Sequence, residues 1–204
     1  MIFTVAMDGP AAAGKGTVSK AIAEHFQFAH LDTGLLYRVV GKKVIDGAEP
    51  IAAARALTAE DLAMDGLRTA AVAQAASKIA VIAEVRDAFL DFQRQFARRQ
   101  GGAVIDGRDI GSVICPQAEV KLFVTASPEV RAQRRFAELS AKTEGLQFES
   151  VLSDVIARDK QDSERATSPL AQVADAVVID TSDMTIEAAM AAAIKVVDEK
   201  LNAV

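Results

Sequence analysis

A short apolar run, Ile2 to Met7, stops at Asp8 and is followed at once by Gly9-Pro10-Ala11-Ala12-Ala13-Gly14-Lys15-Gly16-Thr17. No other stretch restricts the possible folds so strongly. The run is too brief for a helix and reads as a buried strand. From Gly14 to about Phe26, Val18, Ala21, Ile22 and Phe26 recur at the spacing of one helix face. Strand, glycine-bearing turn and helix in this order give the G-x-x-x-x-G-K pattern its meaning. Phosphate oxygens need several backbone N–H groups converging on them, and a helix N-terminus adds a favourable dipole. Lys15 then supplies a point charge to the β and γ phosphates. The residue after it is Gly16 rather than Ser or Thr, so a hydroxyl facing Mg²⁺ has to come from Thr17.

The same alternation continues. Phe28 to Leu31 reads as a second strand ending in Asp32-Thr33-Gly34, followed by a helix through Leu35, Leu36, Val39, Val40 and Val44. Pro50 to Gln100 is alanine-rich and helical, with Thr58 as an N-cap before an acidic first turn and Gly66 as a break. Ala103 to Ile105 predicts a third strand, ending in Asp106-Gly107-Arg108-Asp109, and Val120 to Val124 a fourth. Ser127 as N-cap with Pro128 at N1 opens a helix bearing Arg131, Arg134 and Arg135. A polar turn at Lys142 to Gly145 leads to a helix from Phe148 to about Asp162. Val177 to Asp180 is a fifth strand, and Thr185 caps a terminal helix. Strands alternating with helices predict a doubly wound parallel sheet, an α/β fold in one domain of 204 residues.

Ligands of such sheets lie beyond the carboxyl ends of the strands. Three strand ends here carry chemistry: Asp8-Gly9, Asp32-Thr33-Gly34 and Asp106-Gly107-Arg108-Asp109. Turn-forming Asp and Gly also end strands for structural reasons alone. A cationic set adds to them: Arg131, Arg134 and Arg135 share one helix face, while Arg158, Asp162 and Arg165 share another. Phosphoryl transfer is catalysed chiefly by cations held in place. The competing reading is a pair of solvated, salt-bridged helix faces.

Composition excludes other classes. Cys115 is the one cysteine and there are two histidines, so neither an internal disulfide nor a usual tetrahedral zinc site is available. His25 and His30 accompany no nucleophile elbow, which argues against a hydrolytic triad. Tyr37 is the only tyrosine and tryptophan is absent, so aromatic base-stacking platforms are missing. No stretch reaches the roughly 20 apolar residues of a membrane span, and the opening run lacks a basic n-region. A formal charge of −5 opposes binding of a nucleic-acid polymer. A cytoplasmic protein without a membrane or polymer partner is expected, and the lack of a long heptad seam points to a monomer.

The chain resembles the cytidylate kinases, a family of P-loop nucleoside monophosphate kinases. The likeness rests on Asp8 to Thr17, Leu31 to Arg38, Ala75 to Ser77 with Val85-Arg86, Asp106 to Gly111, Arg131-x-x-Arg134-Arg135, and Arg158-Asp159-x-x-Asp162-x-x-Arg165 leading to Ser168-Pro169-Leu170. It implies a five-stranded parallel sheet of the P-loop NTPase type flanked by helices, with core 1–40, 100–130 and 170–204, an acceptor-binding segment at about 41–99 and a lid at about 131–165. It assigns ATP to Gly9, Pro10, Ala11, Ala12, Ala13, Gly14, Lys15, Gly16 and Thr17, with Arg131, Arg134 and Arg135 in the lid. CMP falls to Thr33, Tyr37, Arg38, Ser77, Arg86, Arg108, Asp109, Arg158, Asp162 and Arg165. Of these, Ser77, Arg86 and Asp109 read the cytosine edge, Asp162 meets the ribose, and Arg108 and Arg165 lie near the acceptor phosphate. Lys15, Arg131, Arg158 and Arg165 are the catalytic set, and Thr17 with Asp106 holds Mg²⁺.

Two departures from the family stand out. Ala12 replaces a frequent glycine, which implies an ordinary backbone conformation at that point. The stretch from Tyr37 to Ser77 lacks the strand-rich insert of some members and reads as helical throughout. The implied reaction is transfer of the ATP γ-phosphoryl group to CMP or dCMP. Two alternatives stay open on the residues alone: a same-fold kinase for UMP, AMP or a metabolite, and a P-loop nucleotide switch without phosphoryl transfer. The absence of an Asn-Lys-x-Asp motif weighs against a guanine-dependent switch.

Overall fold

The computed structural model describes residues 1–141 and 144–203. Five parallel strands form one sheet in the order β2-β3-β1-β4-β5: β1 Thr4–Asp8, β2 Ala29–Asp32, β3 Ala103–Asp106, β4 Val120–Thr125 and β5 Val177–Asp180. β1 and β3 are buried along their whole length, as expected of central strands covered on both faces, while edge strand β5 buries only Ile179. The first strand starts two residues later than its apolar run, because its partner begins at Ala103 and Thr4 is the first residue in register with it. Ile2 instead makes an isolated antiparallel bridge to Gln100.

Helices α1 (Lys15–Phe26) and α8 (Ile186–Leu201) cover one face of the sheet, packing Val18, Ile22, Ala193 and Val197 on Val5, Met7, Val104 and Leu122. The other face carries Ala6, Leu31 and Ile105 under Ala97 of α5 (Ala83–Ala97) and a single wide turn at Ile110–Ile114. Each such aliphatic side chain removed from water contributes about 1.5–3 kcal/mol. The Ile110–Ile114 turn carries no sequence-level signal.

Two smaller cores flank the sheet. Between β2 and β3, α2 (Thr33–Ile45), α3 (Pro50–Arg55), α4 (Ala70–Ile79) and α5 pack Leu36, Val40, Ala53, Ile79, Val85 and Phe89 together. After β4, α6 (Pro128–Ser140) and α7 (Phe148–Glu164) close on Ala132, Val151 and Val155, with the Phe136 and Phe148 rings edge to face at 6.1 Å. Ser127 and Thr185 cap as expected, accepting from the amides of Val130 and Ala188. Among the described residues no strand lies between α2 and α5. The expected cap at Thr58 is not formed. Its amide donates to the Asp61 carboxylate, and Glu60–Ala63 makes a short 3₁₀ turn, because the acidic side chain bonds locally before a longer helix can propagate. Of the polar turn between α6 and α7, Lys142 and Thr143 lie outside the described residues.

Candidate active site

The phosphate-binding loop joins β1 to α1. Gly9 is left-handed at φ 145°, and a β-carbon there would lie 1.9 Å from the Val124 carbonyl oxygen. Close approach to β4 therefore demands this glycine, whereas contact with a phosphate does not; Gly9 and Pro10 stand behind the cleft while residues 11–17 line it. Ala12 departs from the expected ordinary conformation: its φ is 61°, in the left-handed region, so the loop keeps the glycine-like shape although a β-carbon is present. Gly14, at φ 90°, precedes α1 without a side-chain cap, so no side chain takes up the first amides of this helix, whose opening residues line the cleft. Lys15 folds over the loop and donates to the Pro10 carbonyl at 2.7 Å. Burial, and then the nearby Arg108, push its pKa down to about 7, with Asp106, Asp8 and Asp32 opposing.

The edge formed by β2 and β3 collects carboxylates. Asp32 and Asp106 are partners in register on the two strands. Burial and then Asp106 raise the Asp32 pKa, and Arg68 reaches Asp32 at 3.4 Å. Asp106 Oδ2 accepts from Ser19 Oγ and His30 Nε2, each at 2.8 Å, and the Thr33 hydroxyl donates to the Asp106 carbonyl at 2.8 Å. Ser19 and His30 share only the Nε2 atom, so they do not form a hydrolytic triad, in which the two ring nitrogens face different partners. Asp8 serves the next turn: its two oxygens accept from the amides of Ile110 and Gly111 at 2.7 Å, anchoring the segment that carries Arg108 and Asp109. Burial raises its pKa to about 6 despite those two bonds.

Across the cleft, Arg86 on α5 is ion-paired with Asp109. Its guanidinium lies 5.8 Å from the centre of the Tyr37 ring, which packs edge-on against Phe89. Arg108 Nε donates to Asp162 at 2.8 Å, and Arg165 Nη2 lies 3.7 Å from Asp109. Arg38 donates to the Leu67 carbonyl at 2.8 Å. Burial and then Arg108 lower the Arg158 pKa to about 10, against the pull of Asp162. Three buried atoms of these cleft residues, Ser77 Oγ, Arg158 Nε and Arg165 Nη2, have no hydrogen-bond partner among the described residues. A buried polar atom left unpaired costs about 1–3 kcal/mol. Thr33, Tyr37, Arg38, Ser77, Arg86, Arg108, Asp109, Arg158, Asp162 and Arg165 all line the same cleft of about 530 Å³ as Lys15, Thr17 and Asp106.

The arginines of α6 have different surroundings. Arg131 is buried and is not among the residues lining the cleft: Nη1 and Nη2 donate to Asp159 of α7 at 2.9 and 2.5 Å, and Nε donates to the Ala126 carbonyl. It touches the phosphate-binding loop only through the Ala11 carbonyl, at 3.4 Å. Helical spacing set it beside Arg134 and Arg135, but a carboxylate on the facing helix claims it. Arg134 and Arg135 do line the cleft, the first held by the Thr181 hydroxyl and carbonyl and the second by Glu138. Sequence reasoning missed Ser19, His30 and Arg68 as residues of the site. Asp32 was visible as a strand end, whereas Arg68 had no local signal.

The family profile described as cytidylate kinase matches residues 5–59 and 43–199. The cytidylate kinase of Cereibacter sphaeroides (strain KD131) is 60% identical over 199 residues, covering 97% of this chain and 96% of that protein. The cytidylate kinase of Azorhizobium caulinodans is 54% identical, covering 95% and 97%. Among solved structures, a gluconokinase from Sinorhizobium meliloti 1021 superposes with a TM-score of 0.52 at 14% identity, covering 99% of this chain and 95% of that one, a likeness of fold.

Proposed function

The chain belongs to the cytidylate kinase family, and from that membership we propose that it transfers the γ-phosphoryl group of ATP to CMP or dCMP, giving CDP or dCDP and ADP. The observation that carries the assignment of the site is that Ser77, Arg108, Arg158 and Arg165 line the same cleft as the phosphate-binding loop, with Ser77 Oγ and Arg158 Nε buried and without a hydrogen-bond partner among the described residues. Guanidinium groups gathered in one cleft with the phosphate-binding loop suit a second, anionic substrate.

In this reading the amides at the start of α1 and Lys15 hold the β and γ phosphates, with Arg134 and Arg135 above them. Burial and Arg108 favour neutral Lys15, and the negative phosphates beside it restore its charged form. Arg108, Arg158 and Arg165 align the acceptor phosphate, Asp162 meets the ribose, and Ser77, Arg86 and Asp109 read the base beside Tyr37. An oxygen of the CMP phosphate attacks the γ phosphorus, the bond to the bridging oxygen breaks, and ADP departs with that electron pair. The attacking oxygen is already ionised, so no general base is needed. Segment 41–99 is the acceptor-binding part, packed on Leu36 and Val40 of α2, and 131–165 is the lid, with a small core of its own. Arg131 acts as a strut that fixes the lid helices to each other.

Mg²⁺ fits the donor set. It prefers oxygen ligands and usually takes only one or two from protein, the rest coming from phosphates and water. The Thr17 hydroxyl and Asp106 Oδ1 have no hydrogen-bond partner among the described residues, and Asp32 adds negative charge alongside Asp106. Thr17 and Asp106 would hold the ion, directly or through water, where it would neutralise charge on the ATP phosphates. The test is an acceptor panel at fixed ATP with ADP release as the readout. The highest kcat/KM is expected for CMP and dCMP; equal or greater turnover of UMP or AMP overturns the assignment.

A further inference from the structure

Asp106 is the carboxylate on which the metal reading depends, and its neighbours decide which way it faces. It is buried at the end of β3, with Ser19 of α1 on one side and His30 of β2 on the other. Both reach the same oxygen, Oδ2, at 2.8 Å, and they lie 3.0 Å from each other. The protons can be placed. A nitrogen 2.8 Å from a carboxylate oxygen has to present a proton to it, so Nε2 carries the hydrogen; Ser19 Oγ accepts a share of that N–H while giving its own proton to Oδ2. The Gly16 carbonyl, 3.3 Å from Ser19 Oγ, is the more distant acceptor for that hydroxyl, and none of these bonds engages Oδ1.

Asp106 has a cationic alternative close by in Lys15. Lys15 stands within electrostatic reach, and a carboxylate free to rotate in a buried site would turn towards a cation. A contact of that kind would occupy both the oxygen meant for the metal and the lysine meant for phosphate. Two donors on Oδ2 prevent it. His30 is the partly exposed member of the three and lines the cleft, so it meets the site directly.

We propose that Ser19 and His30 are positioning residues that clamp Asp106 through Oδ2, presenting Oδ1 to the divalent ion that accompanies the nucleotide. The proposal rests on the Mg²⁺ reading above. Hydrogen-bond partners of this kind around a metal ligand are typically worth roughly 10–100-fold in metal affinity. A clamp and a mere stitch between β2 and β3 predict different results, because a stitch affects folding and leaves metal affinity alone.

The test measures Mn²⁺ binding to the enzyme–ADP complex by electron paramagnetic resonance, a readout independent of turnover, in wild type, His30→Leu, His30→Gln and Ser19→Ala. Melting temperatures are recorded in parallel. His30→Leu keeps volume without a donor, and His30→Gln keeps an N–H. Mn²⁺ affinity is expected to fall about tenfold or more in His30→Leu and Ser19→Ala and to recover in His30→Gln. Wild-type affinity in His30→Leu, or an equal loss in His30→Gln, overturns the clamp; if His30→Leu does not fold, Ser19→Ala decides by the same criterion. Failure of the wild-type complex to bind Mn²⁺ beyond free ADP overturns the metal reading itself.

Discussion

Replacing Ala12 by glycine probes the backbone of the phosphate-binding loop without removing any polar group. Ala12 sits at φ 61°, where a β-carbon crowds the following carbonyl at a cost of about 1–2 kcal/mol. Glycine relieves that strain but returns freedom to the unfolded chain, worth about 0.4–1 kcal/mol. The net expectation is a stabilisation of about 0.5–1 kcal/mol, equivalent to roughly 1–4 °C in melting temperature for a chain of this size. Gly14 supplies the mirror experiment. Its φ is 90°, and an added β-carbon would meet nothing within 4 Å, so Gly14→Ala introduces strain without a clash. It should lower stability by about 1 kcal/mol or more, roughly 2–4 °C. Scanning calorimetry of both variants beside wild type, without nucleotide, measures the two effects. Opposite signs are expected. A melting temperature for Ala12→Gly at or below that of wild type refutes the claim that the loop stores strain at Ala12, and no loss in Gly14→Ala refutes the left-handed turn into α1.

Ser77→Ala removes a buried hydroxyl that has no protein partner. The melting temperature without ligand should hold or rise, while KM for CMP rises roughly 3–10-fold, the equivalent of one ordinary hydrogen bond; a lower melting temperature with KM unchanged would make Ser77 structural. Arg158→Ala should reduce kcat on the order of 10³-fold in a coupled ADP-release assay, and turnover near wild type would remove Arg158 from the reaction. Arg131→Ala separates the strut from a catalytic arginine. Its side chain is buried against the partly exposed Asp159, so stability should fall by about 1–3 kcal/mol, read in urea, with kcat of the folded enzyme reduced far less than in Arg158→Ala. A loss of kcat as large as that of Arg158→Ala, without destabilisation, would return Arg131 to the catalytic set.

How legible a residue was depended on how far away its partner lies. The loop from Gly9 to Thr17, the caps Ser127 and Thr185 and the apolar periodicity of α1 and α8 answer to neighbours within a few positions, and the structure has them as expected. Thr58 shows the limit even at short range, because Asp61 offered its amide a bond that the helical pattern did not weigh. Ala12 shows another. Composition suggests an ordinary backbone for alanine, yet the loop is pinned at both ends by β1 and α1, and the strain of one residue is small beside the burial that fixes those ends.

Strand, phosphate-binding loop, helix alternation and the family motifs are properties of the sequence by itself, since propensity, turn chemistry and local spacing act along the chain. Tertiary structure decided which polar groups are spent on the protein and which are left for a ligand. Arg131 and Arg158 look alike in sequence, each an arginine on a polar helix face. Arg131 meets Asp159 on the facing helix and is satisfied, whereas Arg158 Nε is buried beside Arg108 with no partner among the described residues. The same holds for Ser19 and His30, which reach Asp106 only because β2, β3 and α1 meet at one edge. A hydrogen bond forms within about 3 Å, and only the packing of strands and helices brings residues so distant along the chain that close.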